Sequence, residues 1–281
     1  MREKIAILIN PKLHNGRIKN VLQHILQVLV QKDIVHEIFR EQWPVDINIF
    51  KEVWIIGGDG TLNYFLNAYR EIFIPIVLFK GGTGNDFSWK LYGDLSVTEQ
   101  AHKVLEVAPK EVDAAECNGR IFINGVGVGF DGEVLRSINT VRRIGGHLGY
   151  LILVVKKIFS FKEHYFTIQS GGNSITGKFL LVIVANSSRT GGGFMVAPTA
   201  DIQDGKLDMV LCQPMSIFRR LLNLPVIQNG KHLAKKYIIH QLVSGVIIES
   251  PTDLFAQLDG ELINGNRFEI TVTPKRFLFK F

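Results

Sequence analysis

Val53-Trp54-Ile55-Ile56-Gly57-Gly58-Asp59-Gly60-Thr61-Leu62-Asn63 is the stretch whose reading decides the fold. The apolar run 53–56 does not alternate, which suits a short strand buried on both faces of a sheet. A glycine-rich loop follows, and then residues 62–72 carry apolar side chains at helical spacing. At the carboxyl end of a parallel strand, glycines let the backbone approach a phosphate closely. The following helix N-terminus offers unpaired N–H groups and partial positive charge. An aspartate in such a loop is not a phosphate contact by itself, so Asp59 would act through Mg2+ or on a hydroxyl. The plainer alternative is a tight strand-to-helix turn with Asp59 as a cap.

Outward from this loop the first third repeats the same rhythm. Strand-like runs at 4–9 and 76–79 alternate with helical patterns at 18–30 and 97–107, as expected of a parallel α/β sheet. The run 76–79 ends in a second loop, Lys80-Gly81-Gly82-Thr83-Gly84-Asn85-Asp86-Phe87, so two strands should end in glycine-rich, Asp-containing loops in one crevice. Beyond about residue 116, strand-like runs at 120–124, 165–169, 178–185, 207–212, 245–249, 254–258 and 268–273 predict an antiparallel β domain. Helical patterns near 133–160 and 216–236 interrupt it. The expected organisation is an α/β domain over 1–115, a short hinge near 109–118, and a β-rich domain over 116–274, with 275–281 a candidate to return to the first.

The chain has 281 residues, enough for one large domain or two ordinary ones. Cys117 and Cys212 are its two cysteines, far apart and without metal-type spacing, which points to a reduced cytoplasmic protein with structural thiols. The N-terminus reads directly into a strand rather than a secretory signal, and the apolar stretches 144–155 and 179–185 fall short of the ~20 residues a membrane span needs. The net charge of +6 suits nucleic acid, an anionic membrane or a phosphorylated substrate alike. Its distribution says more. Between Val134 and Lys162 no acid occurs, while Arg136, Arg142, Arg143, Lys156, Lys157 and Lys162 lie among Leu148, Tyr150, Leu151 and Phe159. Between Pro214 and His240 the pattern recurs with Arg219, Arg220, Lys231, Lys235 and Lys236. Cations mixed with apolar side chains suit a peripheral surface on anionic lipid; the alternative is ordinary helices with solvated basic faces.

A third segment, Gln257-Leu258-Asp259-Gly260-Glu261-Leu262, puts two carboxylates across a glycine, and alone it reads as a hairpin turn. Taken with the two loops, with Asn10-Pro11, the GVGVGFD stretch at 125–131, the glycines 191–193 with Pro198 and Ala200, and Asp204-Gly205-Lys206-Leu207-Asp208, it resembles the diacylglycerol-kinase catalytic family. That family includes bacterial lipid kinases and is similar to sphingosine and ceramide kinases. The resemblance runs over nearly the whole chain. GGDGT alone also occurs in NAD kinases and phosphofructokinases, whereas GTGND followed late by LDGE is more specific.

The resemblance implies a Rossmann-like α/β domain of the NAD-kinase and phosphofructokinase kind, then an antiparallel β-sandwich that takes the lipid, with the active site in the cleft between them. It implies a cytoplasmic, peripherally membrane-associated enzyme of phospholipid metabolism that moves the γ-phosphoryl group of ATP to a lipid hydroxyl, diacylglycerol first, giving phosphatidic acid. Asn10, Gly57, Gly58, Asp59, Gly60, Thr61, Asn63 and Thr83 would lie near ATP. Glu261 would be the general base, with Asp59 and Asp86 orienting the catalytic Mg2+, although sphingosine kinases credit the aspartate of the first loop with the base role. A structural Mg2+ would sit at Asp201, Asp204 and Lys206, through the Asp204 carboxylate and the other two carbonyls.

Three departures bear on the donor site. Lys12-Leu13-His14-Asn15-Gly16 replaces a Ser-Gly stretch, Arg40-Glu41-Gln42 replaces a Thr-rich turn, and Lys80 replaces a Pro-Leu or Pro-Met step. Gly127, Gly129 and Gly132 match GxGxxG, but without a βαβ unit of their own they do not carry a dinucleotide site. An NAD kinase is the rival among enzymes, and a non-catalytic nucleotide- or lipid-binding regulator is the rival outside them. No recognition-helix, zinc or RNP-like pattern supports nucleic acid, and a homodimer is left open.

Overall fold

The structure is a computed structural model and describes residues 3–10, 16–140 and 146–281. The chain divides into two compact units, Met1–Val112 with Lys275–Phe281, and Asp113–Pro274. Pro11 to Asn15, Arg142 and Arg143 fall outside the described residues, as do the side chains of Leu148, Tyr150 and Leu151. In chain order unit 1 contains β1 (Ile5–Ile9), α1 (Gly16–Gln31), β2 (His36–Phe39), β3 (Glu52–Gly57), α2 (Asp59–Ala68), β4 (Ile76–Lys80), α3 (Asp86–Tyr92) and α4 (Val97–Glu106). β1 pairs in parallel with both β2 and β3, and β3 pairs in parallel with β4. All of β1 and β3 is buried, so the unbroken apolar run at 53–56 does mark a strand covered on both faces.

The last residues of the chain join this sheet, where Phe279 pairs in parallel with Ile76 of β4. A buried polar cluster holds them. Lys280 Nζ donates to Glu52 Oε2 at 2.7 Å, Trp54 Nε1 donates to Glu52 Oε1 at 2.9 Å, and Tyr92 OH donates to the Lys280 carbonyl at 2.8 Å. Burial also pushes the Tyr92 hydroxyl well above its ordinary pKa, which keeps it a neutral donor. Ser96 and Glu99 form a reciprocal capping box that starts α4.

Unit 2 holds β5 (Lys110–Cys117), which the chain enters from unit 1, then β6 (Arg120–Phe122), β7 (Gly125–Gly129), α5 (Phe130–Thr140), α6 (Gly146–Ser160), β8 (His164–Ser170), β9 (Asn173–Phe179), β10 (Leu181–Ala185), β11 (Leu207–Cys212), α7 (Ile217–Gln228), β12 (Ile238–Val243), β13 (Gly245–Leu258) and β14 (Glu261–Phe279). The order β12-β11-β10-β7-β13-β14 is antiparallel, with β8 and β9 added beside β13. The stretch expected as a hinge, 109–118, contains both the boundary between the units, at Val112 and Asp113, and strand β5. The runs 245–249 and 254–258 belong to one strand, broken in register between Glu249 and Leu254. β2 and β12 carry no strong apolar pattern, and their mixed burial explains why the sequence hid them.

Each glycine of the GxGxxG match has a local cause. A Cβ on Gly127 would stand 2.3 Å from Asp131 Oδ2, Gly129 has φ +84°, and a Cβ on Gly132 would stand 2.1 Å from the Phe255 carbonyl oxygen. Gly132 therefore lets α5 lie directly on the backbone of β13. Cys117 and Cys212 are buried free thiols whose pKa burial pushes up to about 12, inert packing groups.

Candidate active site

In unit 1, β3 and β4 end side by side and their loops touch. Gly81 N–H donates to the Gly57 carbonyl at 2.8 Å, extending the pairing of the strands. A Cβ on Gly58 would come within 2.8 Å of Gly82 Cα, and one on Gly82 within 2.6 Å of Gly58 Cα. These glycines are needed for loop to meet loop, whatever else approaches them. Arg17 of α1 steadies the second loop, its Nη1 donating to the Gly82 carbonyl at 3.1 Å.

α2 starts at Asp59 with Gly58 as its N-cap, and no side chain caps it. In its first turn the N–H groups of Thr61 and Leu62 both donate to the Gly58 carbonyl, at 3.0 and 3.1 Å, and Gly60 is exposed. Asp59 caps a different helix. Its carboxylate accepts the backbone N–H of Asp86 at 3.1 Å and of Phe87 at 2.9 Å, the first turn of α3. Asn85, at the N-cap position of α3, is in the left-handed region at φ +53°, and its side chain serves its own loop instead. Its side chain closes a ring with Gly82, accepting that residue's N–H and donating to its carbonyl, both at 2.8 Å. The asparagine could have been suspected from its tolerance of positive φ, but its partner could not.

The other expected donor-site residues fall as follows. Asn10 stands at the end of β1, and its Nδ2 donates to Thr61 Oγ1 at 2.8 Å, joining two of them. Thr83 is exposed at the tip of the second loop. Asn63 is buried, and Asn67 Nδ2 donates to its carbonyl at 2.9 Å within α2. Asp86 is buried at the start of α3. Beside Asn10 lies an aromatic group the sequence did not single out. Trp43 Nε1 donates to the Ile9 carbonyl at 3.3 Å, and the indole sits edge-on to exposed Tyr64 with centroids 5.5 Å apart.

In unit 2, Asp259 and Gly260 form the two-residue turn between β13 and β14, with φ of +48° and +85° and Leu258 paired to Glu261. Positive φ at both central positions is the turn an Asp-Gly hairpin favours. The two carboxylates of this turn differ completely. Asp259 is buried and accepts three backbone N–H groups, from Ile123 at 2.7 Å, Asn124 at 2.9 Å and Gly125 at 3.0 Å. It organises the connection from β6 to β7. Glu261 is exposed. Asn186 completes the node, donating from Nδ2 to the carbonyls of Asp113 and Ile123.

The segment expected to hold a metal is a turn in which Lys206 N–H donates to Asp204 Oδ1 at 2.9 Å and Gln203 N–H donates to Asp201 Oδ1 at 3.1 Å. Buried Asp113 accepts the Gly205 N–H at 2.7 Å, a contact across 92 residues that spacing could not foretell. No group of three or more His, Cys, Asp or Glu side chains is poised for a metal among the described residues. A cation at this turn would draw on one carboxylate, carbonyl oxygens and water, a donor set that suits Mg2+.

The helices that carry the basic stretches are partly self-satisfied. Lys157 pairs with Glu133 at 2.7 Å and Arg220 with Glu163 at 2.5 Å, the two acids standing just outside the acid-free window. Arg220, expected on a basic surface, is buried, and its Nη1 donates to the carbonyls of Ile158 and Phe161 at the end of α6. Arg219, Lys156, Lys162, Lys231, Lys235 and Lys236 are exposed.

Residues 4–117 match a family model described as a diacylglycerol kinase catalytic domain, and residues 124–278 match a YegS C-terminal NAD kinase beta sandwich-like domain. The chain is 29% identical over 238 residues to a protein of Shewanella frigidimarina named "Probable lipid kinase YegS-like", covering 81% of this chain and 75% of that one. A protein of the same name from Pseudomonas fluorescens strain Pf-5 is 28% identical over 222 residues, with 78% and 73% covered. Among solved structures, a diacylglycerol kinase from Bacillus anthracis str. Sterne aligns at TM-score 0.73 and 21% identity, with 99% and 97% covered. An NAD kinase from Archaeoglobus fulgidus, solved in complex with ATP, aligns at TM-score 0.57 and 14% identity, with 99% and 93% covered. These two likenesses speak to the fold, an α/β domain followed by a β-sandwich-like one.

Proposed function

The chain belongs to the lipid kinase family that joins a diacylglycerol kinase catalytic domain to a YegS C-terminal domain, and on that premise we propose that it phosphorylates diacylglycerol to phosphatidic acid. Membership makes it a phosphotransferase that uses ATP. Phosphoryl transfer is supported above all by the pair of loops at the ends of β3 and β4, which Asp59 ties together through the first turn of α3, and diacylglycerol as acceptor by the match to the diacylglycerol kinase catalytic domain.

Phosphoryl transfer asks the protein mainly for positioning and for charge stabilisation. The positive end of α2, with Gly57, Gly58, Gly60 and Thr61, would receive the phosphates. Asn10, Asn63 and Thr83 would fix the rest of the donor, Asn10 through its bond to Thr61 and Asn63 from inside α2. Mg2+, when bound, supplies neutralisation of charge on the phosphate oxygens. Asp59 and Asp86 would orient it on the donor side, and Asp204 with the carbonyls of Asp201 and Lys206 would hold a structural ion in unit 2. Glu261 would take the proton of the acceptor hydroxyl; its exposure leaves the carboxylate free to receive one. Since the donor is ATP and the acceptor carries long hydrocarbon, the reaction belongs on the cytoplasmic face of an anionic membrane, with the protein bound peripherally and no nucleic acid involved.

The test is transfer of label from γ-labelled ATP to a total bacterial lipid extract with Mg2+, comparing wild type with Glu261→Gln. A labelled product with the mobility of phosphatidic acid, formed by wild type alone, is expected. Labelling of NAD instead would replace this reading with that of an NAD kinase, and no labelled product at all with that of a non-catalytic binder.

A further inference from the structure

α6 and α7 pack on each other through Val154 and Ile158 on one side and Leu221 and Leu224 on the other. The faces turned away from that seam are not polar. On α6, Ile152, Lys156 and Phe159 recur at i, i+4 and i+7, one stripe, with Ile152 44% and Phe159 57% exposed. On α7, Phe218 and Leu222 are adjacent at i, i+4, and are 70% and 59% exposed, with Arg219 beside them. Single exposed apolar residues need no explanation, but a concentration on two neighbouring helices does.

Charge says what covers it. The acids that flank the α6 window in sequence, Glu133 and Glu163, are already committed to Lys157 and Arg220. No acidic residue occurs between Val134 and Lys162 or between Met209 and Ile248, so Lys156 and Arg219 stand on a surface of a single sign. A second copy of this chain fits poorly, because a two-fold interface would set these cations against themselves. Cations beside protruding aromatic and aliphatic side chains match an anionic lipid surface, with the apolar groups entering the acyl boundary and the cations meeting headgroups.

We infer that the outer faces of α6 and α7 are the membrane-docking surface, engaged with anionic phospholipid. This rests on the reading of the chain as a lipid kinase and adds the face it uses. Arg220 and Lys157 are excluded from it: Arg220 ties α7 to the end of α6, and Lys157 ties α6 to Glu133 of α5.

The experiment is sedimentation of the full-length chain with vesicles of phosphatidylglycerol and phosphatidylcholine, against phosphatidylcholine alone. The wild type is compared with Phe218→Ser/Leu222→Ser and with Lys156→Glu/Arg219→Glu, each checked by thermal melting. Both double variants should lower partition into the anionic vesicles at least tenfold, while phosphorylation of a short-chain acceptor dispersed in detergent stays within twofold of wild type. Folded variants that sediment like wild type would overturn the inference even where lipid kinase activity is present. A wild type that binds anionic vesicles through this face yet labels no lipid would leave the inference standing and remove the lipid-kinase reading. Equal sedimentation with both vesicle types, or loss of a dimer in the apolar variant by light scattering, would also overturn it, the latter by naming a second copy as the occupant.

Discussion

The carboxylate of Asp59, the first residue of α2, accepts the backbone N–H of Phe87 in the first turn of α3 at 2.9 Å. One side chain of the first glycine-rich loop thereby fixes where the second ends and α3 begins. Asp59→Ala should therefore cost stability as well as activity, by about 1–2 kcal/mol in chemical denaturation, as for loss of a charged cap. Asp59→Asn keeps an acceptor oxygen and should cost less than half as much while still abolishing phosphoryl transfer. Equal stability of wild type and Asp59→Ala would show that the cap contributes nothing.

The turn at Asp259 and Glu261 separates folding from chemistry within three residues. Asp259→Ala leaves three backbone N–H groups without their acceptor and should destabilise unit 2 by roughly 3 kcal/mol or more. Glu261→Gln, at an exposed position, should change stability by less than about 0.5 kcal/mol and eliminate transfer. Urea melts and labelled-ATP assays on the two variants check both halves, and a large stability loss in Glu261→Gln would contradict the assignment.

Asp131 gives a pH signature. Burial raises its carboxyl pKa from 3.8 to about 6. The fold thus prefers the protonated form, whose contribution is full below about pH 3.8 and is lost as pH rises through about 6. Asp131→Asn should therefore raise the Tm at pH 7.5, by the equivalent of about 1–3 kcal/mol, and leave it unchanged at pH 4. The same increment at both pH values would rule out the titration as its cause.

The end of the chain should be as important to unit 1 as any internal strand. Lys280→Ala leaves Glu52 buried without its cation and should cost about 3–5 kcal/mol. Replacing both, Glu52→Gln with Lys280→Met, should recover much of that loss. Additive losses in a double-mutant cycle would show that the two groups do not interact.

Much of this protein was legible without coordinates. The strand at 53–56, the helix after it and the Asp-Gly hairpin at 259–260 follow from local periodicity and turn chemistry, because neighbours in sequence create those signals. The three segments that mark the family were legible for the same reason. The junction near 109–118 was placed where the units do meet, but that the stretch is strand β5 was not legible, since its partners Ile121 and Phe122 leave no sign in it.

What tertiary structure alone decided is the partner of each polar side chain. Asp59 caps a helix 28 residues away, Asp259 binds a loop 136 residues away, and Arg220 closes the end of α6 rather than facing outward. From sequence these were a carboxylate to orient Mg2+, half of a carboxylate pair and one of several surface cations. A hydrogen bond is directional and works over about 3 Å, so its partner is chosen by where the folded chain brings two groups, and composition and spacing carry no record of that choice.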